Sequence, residues 1–276
     1  MSPIAKDQMP GFLNDVINDQ VTVFGKTRSI TDRNTIPEQG GIPQDDPTHW
    51  LKILDVVCVF VDMKGSTQLS ARTHPKTTAG AYQLFTGTAV RLFHELQTPY
   101  IDVWGDGVFG LFNQDQVYRA LAAAVTFKTF AEQVFTPKIR AQIGDGGLDI
   151  GAHIGIDQKT VLANRIGLRR YKQRDDRRND VWAGKPVNMA SKLAGLAGTN
   201  EVLVSDRYYQ RISDEHARMS CGCRGQTPGE KSALWSLRDV SDAGIFDFET
   251  AWRLGSSWCS THGAEYCEAI LALDEA

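Results

Sequence analysis

Leu54-Asp55-Val56-Val57-Cys58-Val59-Phe60-Val61-Asp62-Met63-Lys64-Gly65-Ser66-Thr67 opens the core of this chain. A run this dense in valine suits a strand covered on both faces, with Cys58 as a small buried hydrophobe. An aspartate ends the run and a Gly-Ser-Thr turn follows. A carboxylate at a strand terminus can hold a hard cation through oxygen. The turn behind it offers main-chain N–H groups that suit phosphate oxygens. Taken alone this is weak, because an aspartate before a helix is more often a simple N-cap.

Downstream, Tyr82, Phe85, Ala89, Leu92 and Leu96 recur at helical spacing. Residues 100–104 and 108–112 then read as a hairpin closed by Gly105-Asp106-Gly107. An aspartate between glycines is ordinarily turn chemistry. If this hairpin pairs beside the first strand, however, Asp62 and Asp106 meet at one end of the sheet. Two such carboxylates can share two divalent ions for phosphoryl chemistry. A second helix is expected from about Gln114, and a strand over 148–156 with 161–166 as its pairing partner. The basic stretch 165–178 reads as a solvated loop, or as a basic arm near a triphosphate or dimer contact. Pro186 opens a further helix on which Asn188 and Lys192, four apart, share a face. Strands are expected at 201–205 and 233–237. Hairpins mixed with helices favour an α+β sandwich over a doubly wound sheet.

Composition narrows the function. The 276 residues carry a formal net charge of −3, giving no reason to expect nucleic-acid binding. The longest apolar run, residues 56–61, is too short for direct membrane insertion. The first residues lack the apolar core of a secretory signal, so a cytoplasmic protein is expected. Residues 1–50 read as an N-terminal arm, 51–238 as the catalytic domain and 239–276 as a C-terminal extension. Cys221 and Cys223 alternate as in a strand. Cys259, His262 and Cys267 form a loose group without a clear fourth ligand, so zinc is the minority reading there.

The three segments in order resemble the catalytic core of class III adenylate and guanylate cyclases: strand-Asp62-Met63-x-Gly65-Ser66-Thr67, Gly105-Asp106-Gly107, and Val187-Asn188-x-Ala190-Ser191-Lys192-Leu193. The resemblance implies a ferredoxin-like palm core with a mostly antiparallel sheet, acting as a homodimer with active sites at the interface. It implies that Asp62, Asp106 and the Met63 carbonyl hold two Mn²⁺ or Mg²⁺ ions. Gly65, Ser66 and Thr67 would cradle the triphosphate, with Lys231 a further contact on position alone. Asn188 of the other protomer would orient the ribose. Lys192 stands where the family usually has arginine, keeping the charge but losing the two-pronged geometry.

For the base pocket the resemblance points to Phe60, Asp102, Asp180 and Trp182. ATP-using members typically carry lysine at the position of Asp102, and guanylate cyclases glutamate. Neither pattern is met. An ionised aspartate only accepts hydrogen bonds, which argues against adenine N1 and remains compatible with uracil N3–H or the cytosine amino group. The run Val181-Trp182-Ala183-Gly184-Lys185-Pro186-Val187-Asn188 and Trp258-Cys259-x-x-His262-Gly263 resemble the pyrimidine cyclases of bacterial Pycsar antiphage signalling. That resemblance implies UTP, or CTP, as substrate and a separate cyclic-nucleotide effector downstream. An adenylate cyclase with an atypical pocket and a catalytically dead binding module are the alternatives.

Overall fold

The computed structural model describes residue 5 and residues 8–38, 40–44, 46–143, 147–168, 177–223 and 229–275. In chain order the elements are α1 (Gly11–Phe24), β1 (Ser29–Arg33), β2 (His49–Lys64), α2 (Ser66–Arg72), α3 (Pro75–Glu95), β3 (Tyr100–Trp104), β4 (Gly107–Phe112), α4 (Val117–Phe130), α5 (Thr136–Ile143), β5 (Gly151–Gly167), β6 (Arg178–Gly184), α6 (Lys185–Leu196), β7 (Glu201–Ser205), α7 (Asp206–Tyr209), α8 (Glu215–Arg218), β8 (Trp235–Asp239), β9 (Thr250–Leu254) and α9 (Gly263–Ala272). One sheet runs β3-β4-β2-β5-β7-β9-β8, with β1 added to β2 and β6 to β5. The β5–β7 and β1–β2 pairs are parallel and the rest antiparallel. Sheet and helices together make the α+β architecture.

The long strand β2 divides the interior. Val57, Val59, Val61 and Met63 point into a core built with Leu69, Phe85, Phe93 and Phe127 of the helices. Val56, Cys58 and Phe60 point the other way, against Phe109, Leu111, Val187 and Ala190 under α6. The alternation is what a period of two requires when both faces are covered. It starts at a bulge: Asp55 has φ of 46°, and the β2–β5 register shifts between Ile53 and Val56.

Residues 161–166 do not pair with 148–156. Residues 151–156 and 161–166 lie in the single strand β5, and the polar Asp157-Gln158-Lys159 that resembles a turn stays extended. Asp157 is fully buried yet paired with Arg207, whose Nε donates to Oδ1 at 2.7 Å. Gln158 Nε2 donates to the carbonyl of Asp55 at the bulge, at 3.0 Å. The partners that make these polar side chains tolerable inside a strand are remote in sequence. Cys221 and Cys223 do not form a strand either. Gly222 between them has φ of +80°, and beyond the isolated Met219–Ala233 bridge the chain turns. The N-terminal arm contains the helix α1, with no buried residue, and β1, which extends the sheet along β2. The basic stretch 165–178 falls largely outside the described residues.

After β8 the chain crosses α6 and is pinned there by Asp247. Its carboxylate meets Arg207 Nη1 at 3.0 Å, Lys185 Nζ at 2.8 Å and Lys159 Nζ at 3.1 Å. Burial alone would raise the Asp247 pKa, but the donors from Arg207, Lys185 and Lys159 outweigh it and hold the group well below the usual carboxylate range. A depressed folded-state pKa contributes stability above the unfolded value of about 4, and this is lost as pH falls further. Asp247→Asn is therefore expected to cost about 1.5–3 kcal/mol at neutral pH. In urea titrations the gap to wild type narrows below about pH 4. A gap that stays constant with pH would show that the ion cluster contributes nothing.

Candidate active site

Asp62 stands at the end of β2 on the α6 side, two residues beyond Phe60, with which it shares a face. Its cross-strand neighbour on β5 is His153. On the other side Val61 pairs with Val108, so Gly107 comes next to Asp62. The position needs glycine. A Cβ there would lie 2.9 Å from Phe60 Cζ and 3.3 Å from Asp62 Oδ1. Asp106 precedes it in the turn, where Gly105 has φ of +66°. The hairpin thus brings the second carboxylate beside the first.

The electrostatics agree. Burial pushes the Asp62 carboxyl up to about 6, the charge of Asp106 adds to the rise, and the Met63 main-chain N–H works against it. Two crowded, partly desolvated acceptors are what a hard divalent cation would relieve, so the residues fit such an ion. The Met63 side chain is buried in the helix-side core, which leaves only its main chain for this site. Behind it, Gly65 has φ of +79°, and a Cβ there would lie 2.7 Å from the Asp149 carbonyl. No side chain caps α2, so the main-chain N–H groups at Ser66 and Thr67 are not taken up by a cap.

His153 escaped the sequence reading. It faces Asp62 across the strands, and its Nε2 is buried without a hydrogen-bond partner. Burial, and then Lys64, lower its pKa, so the ring is held neutral. Only the strand register, which sequence does not show, could have found it.

The proposed base-pocket residues share the α6 side of the sheet. Asp102 pairs with Phe109 on β4, which pairs with Phe60 on β2. Asp102 accepts from Trp104 Nε1 at 3.0 Å and from the Val103 N–H at 2.8 Å. Asp180 is held by Arg165 through two bonds, of 2.5 and 3.0 Å. Tyr100, also missed by sequence, packs against Trp182 and feels both carboxylates. Burial pushes its hydroxyl up to about 12, the nearby Trp182 indole opposes this, and the charges of Asp102 and Asp180 add to it. The rings of Tyr100 and Trp182 lie 4.7 Å apart, and Trp182 is buried with its Nε1 outside any well-aligned hydrogen bond. Trp104 and Phe109 continue the aromatic strip at 4.9 Å.

Asn188 and Lys192 are exposed on α6, while Val187, Met189, Ala190, Leu193 and Ala194 are buried. Lys192 Nζ donates to the Ile245 carbonyl at 2.8 Å. Lys231 is paired with Glu215 at 3.1 Å. It lies just before β8, four strands from β2, and the chain does not bring it to Asp62.

Comparison with known proteins fits this geometry. A family model for the adenylate and guanylate cyclase catalytic domain matches residues 51–235. A uridylate cyclase of Propioniciclava tarda is 36% identical over 233 residues, covering 84% of this chain and 73% of its own. A uridylate cyclase of Micromonospora echinofusca is 32% identical over 274 residues, covering 95% and 84%. Among solved structures, the adenylyl cyclase CyaB from P. aeruginosa superposes with a TM-score of 0.56 at 18% identity, over 75% of this chain and 96% of that one. The guanylate cyclase domain of RhGC from Catenaria anguillulae, in complex with GTP, gives 0.51 at 16%, over 75% and 98%. Those two likenesses concern the fold. Class III cyclases use divalent metal ions, in keeping with the Asp62–Asp106 pair. From the matched catalytic domain and the long alignments with cyclase relatives, the chain belongs to the class III nucleotide cyclases and is a nucleotide cyclase.

Proposed function

We propose that this enzyme converts UTP to 3′,5′-cyclic UMP and pyrophosphate. The observation that carries the reading is Asp102, an acceptor carboxylate on the α6 side of the sheet in line with Phe109 and Phe60, where a lysine donor would suit adenine. Uracil N3–H can donate to such an acceptor. The names of the Propioniciclava and Micromonospora relatives support the same base. The cytosine amino group is a donor too, so CTP is the second reading.

In the proposed reaction Asp62, Asp106 and the Met63 carbonyl would hold two divalent ions, Mn²⁺ or Mg²⁺. When bound, these ions acidify the ribose 3′-hydroxyl and offset charge on the α-phosphate. The Gly65-Ser66-Thr67 turn cradles the triphosphate through main-chain N–H groups. A second protomer supplies Asn188 to orient the ribose and Lys192 to offset charge on the α-phosphorus as the 3′-oxygen attacks in line. Both side chains are exposed on α6, as a head-to-tail homodimer requires. Lys192 must exchange the Ile245 carbonyl for substrate. Lys231, four strands from β2 in its own chain, would have to leave Glu215 and join from the partner protomer. Positioning and charge account for the catalysis, with no covalent enzyme intermediate. The catalytic domain spans residues 51–238 between the N-terminal arm and the C-terminal extension. We place the enzyme in the cytoplasm as a second-messenger synthase of antiphage defence, feeding a separate effector.

The test is incubation of the purified protein with Mn²⁺ and each of ATP, GTP, CTP and UTP, with products identified by mass spectrometry. Cyclic UMP from UTP alone is expected. Cyclic CMP would move the substrate to CTP, and cyclic AMP or GMP would overturn the pocket reading. No product from any of the four would leave the binding-module alternative standing. Asp102→Lys is expected to lower turnover of UTP about 10–100-fold, the worth of one charged hydrogen bond. An unaltered preference among the four triphosphates would remove Asp102 from the pocket.

A further inference from the structure

Cys221, Cys223, Cys259 and His262 come from two segments far apart in the chain, yet their ligand atoms all lie within 4.8 Å of one another. The geometry points to a structural zinc site formed by these four side chains. Tetrahedral zinc, with bonds of about 2.3 Å to sulfur and about 2.0 Å to nitrogen, sets its ligand atoms about 3.5–3.8 Å apart. The four groups therefore need close by only a small movement.

Local structure on both segments serves that arrangement. Gly222 adopts φ of +80°, and a Cβ there would lie 2.6 Å from the carbonyl carbon of Gly229. The turn it makes brings the two flanking thiols within 4.8 Å, closer than the roughly 6.6 Å between alternate residues on one face of an extended strand. On the second segment the Thr261 N–H donates to Cys259 Sγ at 3.4 Å, a contact that stabilises a thiolate. Cys223 Sγ lies 3.1 Å from His262 Nδ1, so the two segments already touch. Cys267, the third member of the sequence grouping, is left out and sits half-buried on α9.

The donor set selects the ion. Three thiolates and one imidazole are soft and borderline ligands that suit zinc and not the hard cations held by carboxylates. Four protein ligands leave no open coordination position, so the site is structural and not catalytic. Three thiols in one cluster cannot all be satisfied by disulfides, and all five cysteines are free. The ion would tie the turn after α8 to the start of α9. That helix reaches the main core through Ile270, and beyond it Asp274 accepts from the Tyr118 and Arg119 N–H groups of α4 at 3.1 and 2.6 Å. Zinc thus fastens the C-terminal extension to the catalytic domain.

The test is metal analysis of the full chain, purified without chelator and without a histidine tag. About one zinc per chain is expected, retained by Cys267→Ser and by the Asp62→Ala/Asp106→Ala double variant, and lost in Cys221→Ser/Cys259→Ser. The last variant should also melt roughly 5–10 °C lower. Should it fail to fold, wild type exchanged into Co²⁺ keeps the proposal open to refutation, because tetrahedral thiolate ligation gives intense sulfur-to-cobalt charge-transfer bands. Zinc-free wild type with Cys221, Cys223 and Cys259 all reduced would overturn the site. So would a disulfide among Cys221, Cys223 and Cys259 in place of metal, or a weak octahedral cobalt spectrum.

Discussion

Asp62→Ala and Asp106→Ala should each lower cyclic-nucleotide formation by about 10³-fold or more, a loss of several kcal/mol of transition-state stabilisation. The expectation rests on placement as much as on residue type. Asp62 projects on the α6 side beside the glycine that makes room for it, where burial first and then the Asp106 charge raise its pKa. Removing either carboxylate relieves the other of its like-charged neighbour, so the folded protein should be no less stable. Initial rates of product formation by mass spectrometry, with melting temperatures measured alongside, separate the two effects. Turnover within a few-fold of wild type in either variant would sink the metal assignment. A lost melting transition would make the effect structural, and Asp62→Asn, with nearly the same shape, would then carry the test.

Gly155→Ala should destabilise the chain by about 3 kcal/mol or more, a large effect for one methyl group. Helix α6 lies directly on β5 here. The added Cβ would fall 1.9 Å from the Ala190 carbonyl oxygen and 2.6 Å from the Ala194 nitrogen. Those are main-chain atoms of a helix and cannot swing aside, so α6 must lift. Since α6 carries Asn188 and Lys192, residual activity should fall further than stability alone explains. Gly195→Ala on the same helix is the control. Its Cβ meets nothing within 4 Å, and the substitution should be neutral or gain about 0.5–1 kcal/mol. Urea midpoints for the two variants check both statements, and equal midpoints would refute the packing argument.

What could be read without coordinates was local. The valine run of β2, the Gly105-Asp106-Gly107 turn and the proline-led α6 each announce themselves through neighbouring residues. Once the hairpin was set beside β2, the meeting of Asp62 and Asp106 followed. What stayed hidden depends on pairing between distant segments. His153 becomes a neighbour of Asp62 only through the β2–β5 register. Tyr100 looks like an ordinary strand residue until β3 and β6 place Asp102 and Asp180 around it. Asp157 and Gln158 mimic a turn because Arg207 and the Asp55 carbonyl, which satisfy them, are remote in the chain. The four-ligand cysteine and histidine group is divided in sequence for the same reason, and the nearer Cys267 was a decoy.

The bulge at Asp55 sets how this gene can change length. Between Val56 and Asp62 every residue belongs to one of two packed faces. One codon gained or lost there would turn the carboxylate into the helix-side core and bring Met63 out in its place. That span does not tolerate insertion or deletion. At the bulge itself, between Ile53 and Val56, the pairing with β5 has already slipped once, and an extra residue is absorbed there without reversing the faces beyond it. Length variation among relatives should therefore collect at or before Asp55 and stop short of the seven residues that end in Asp62.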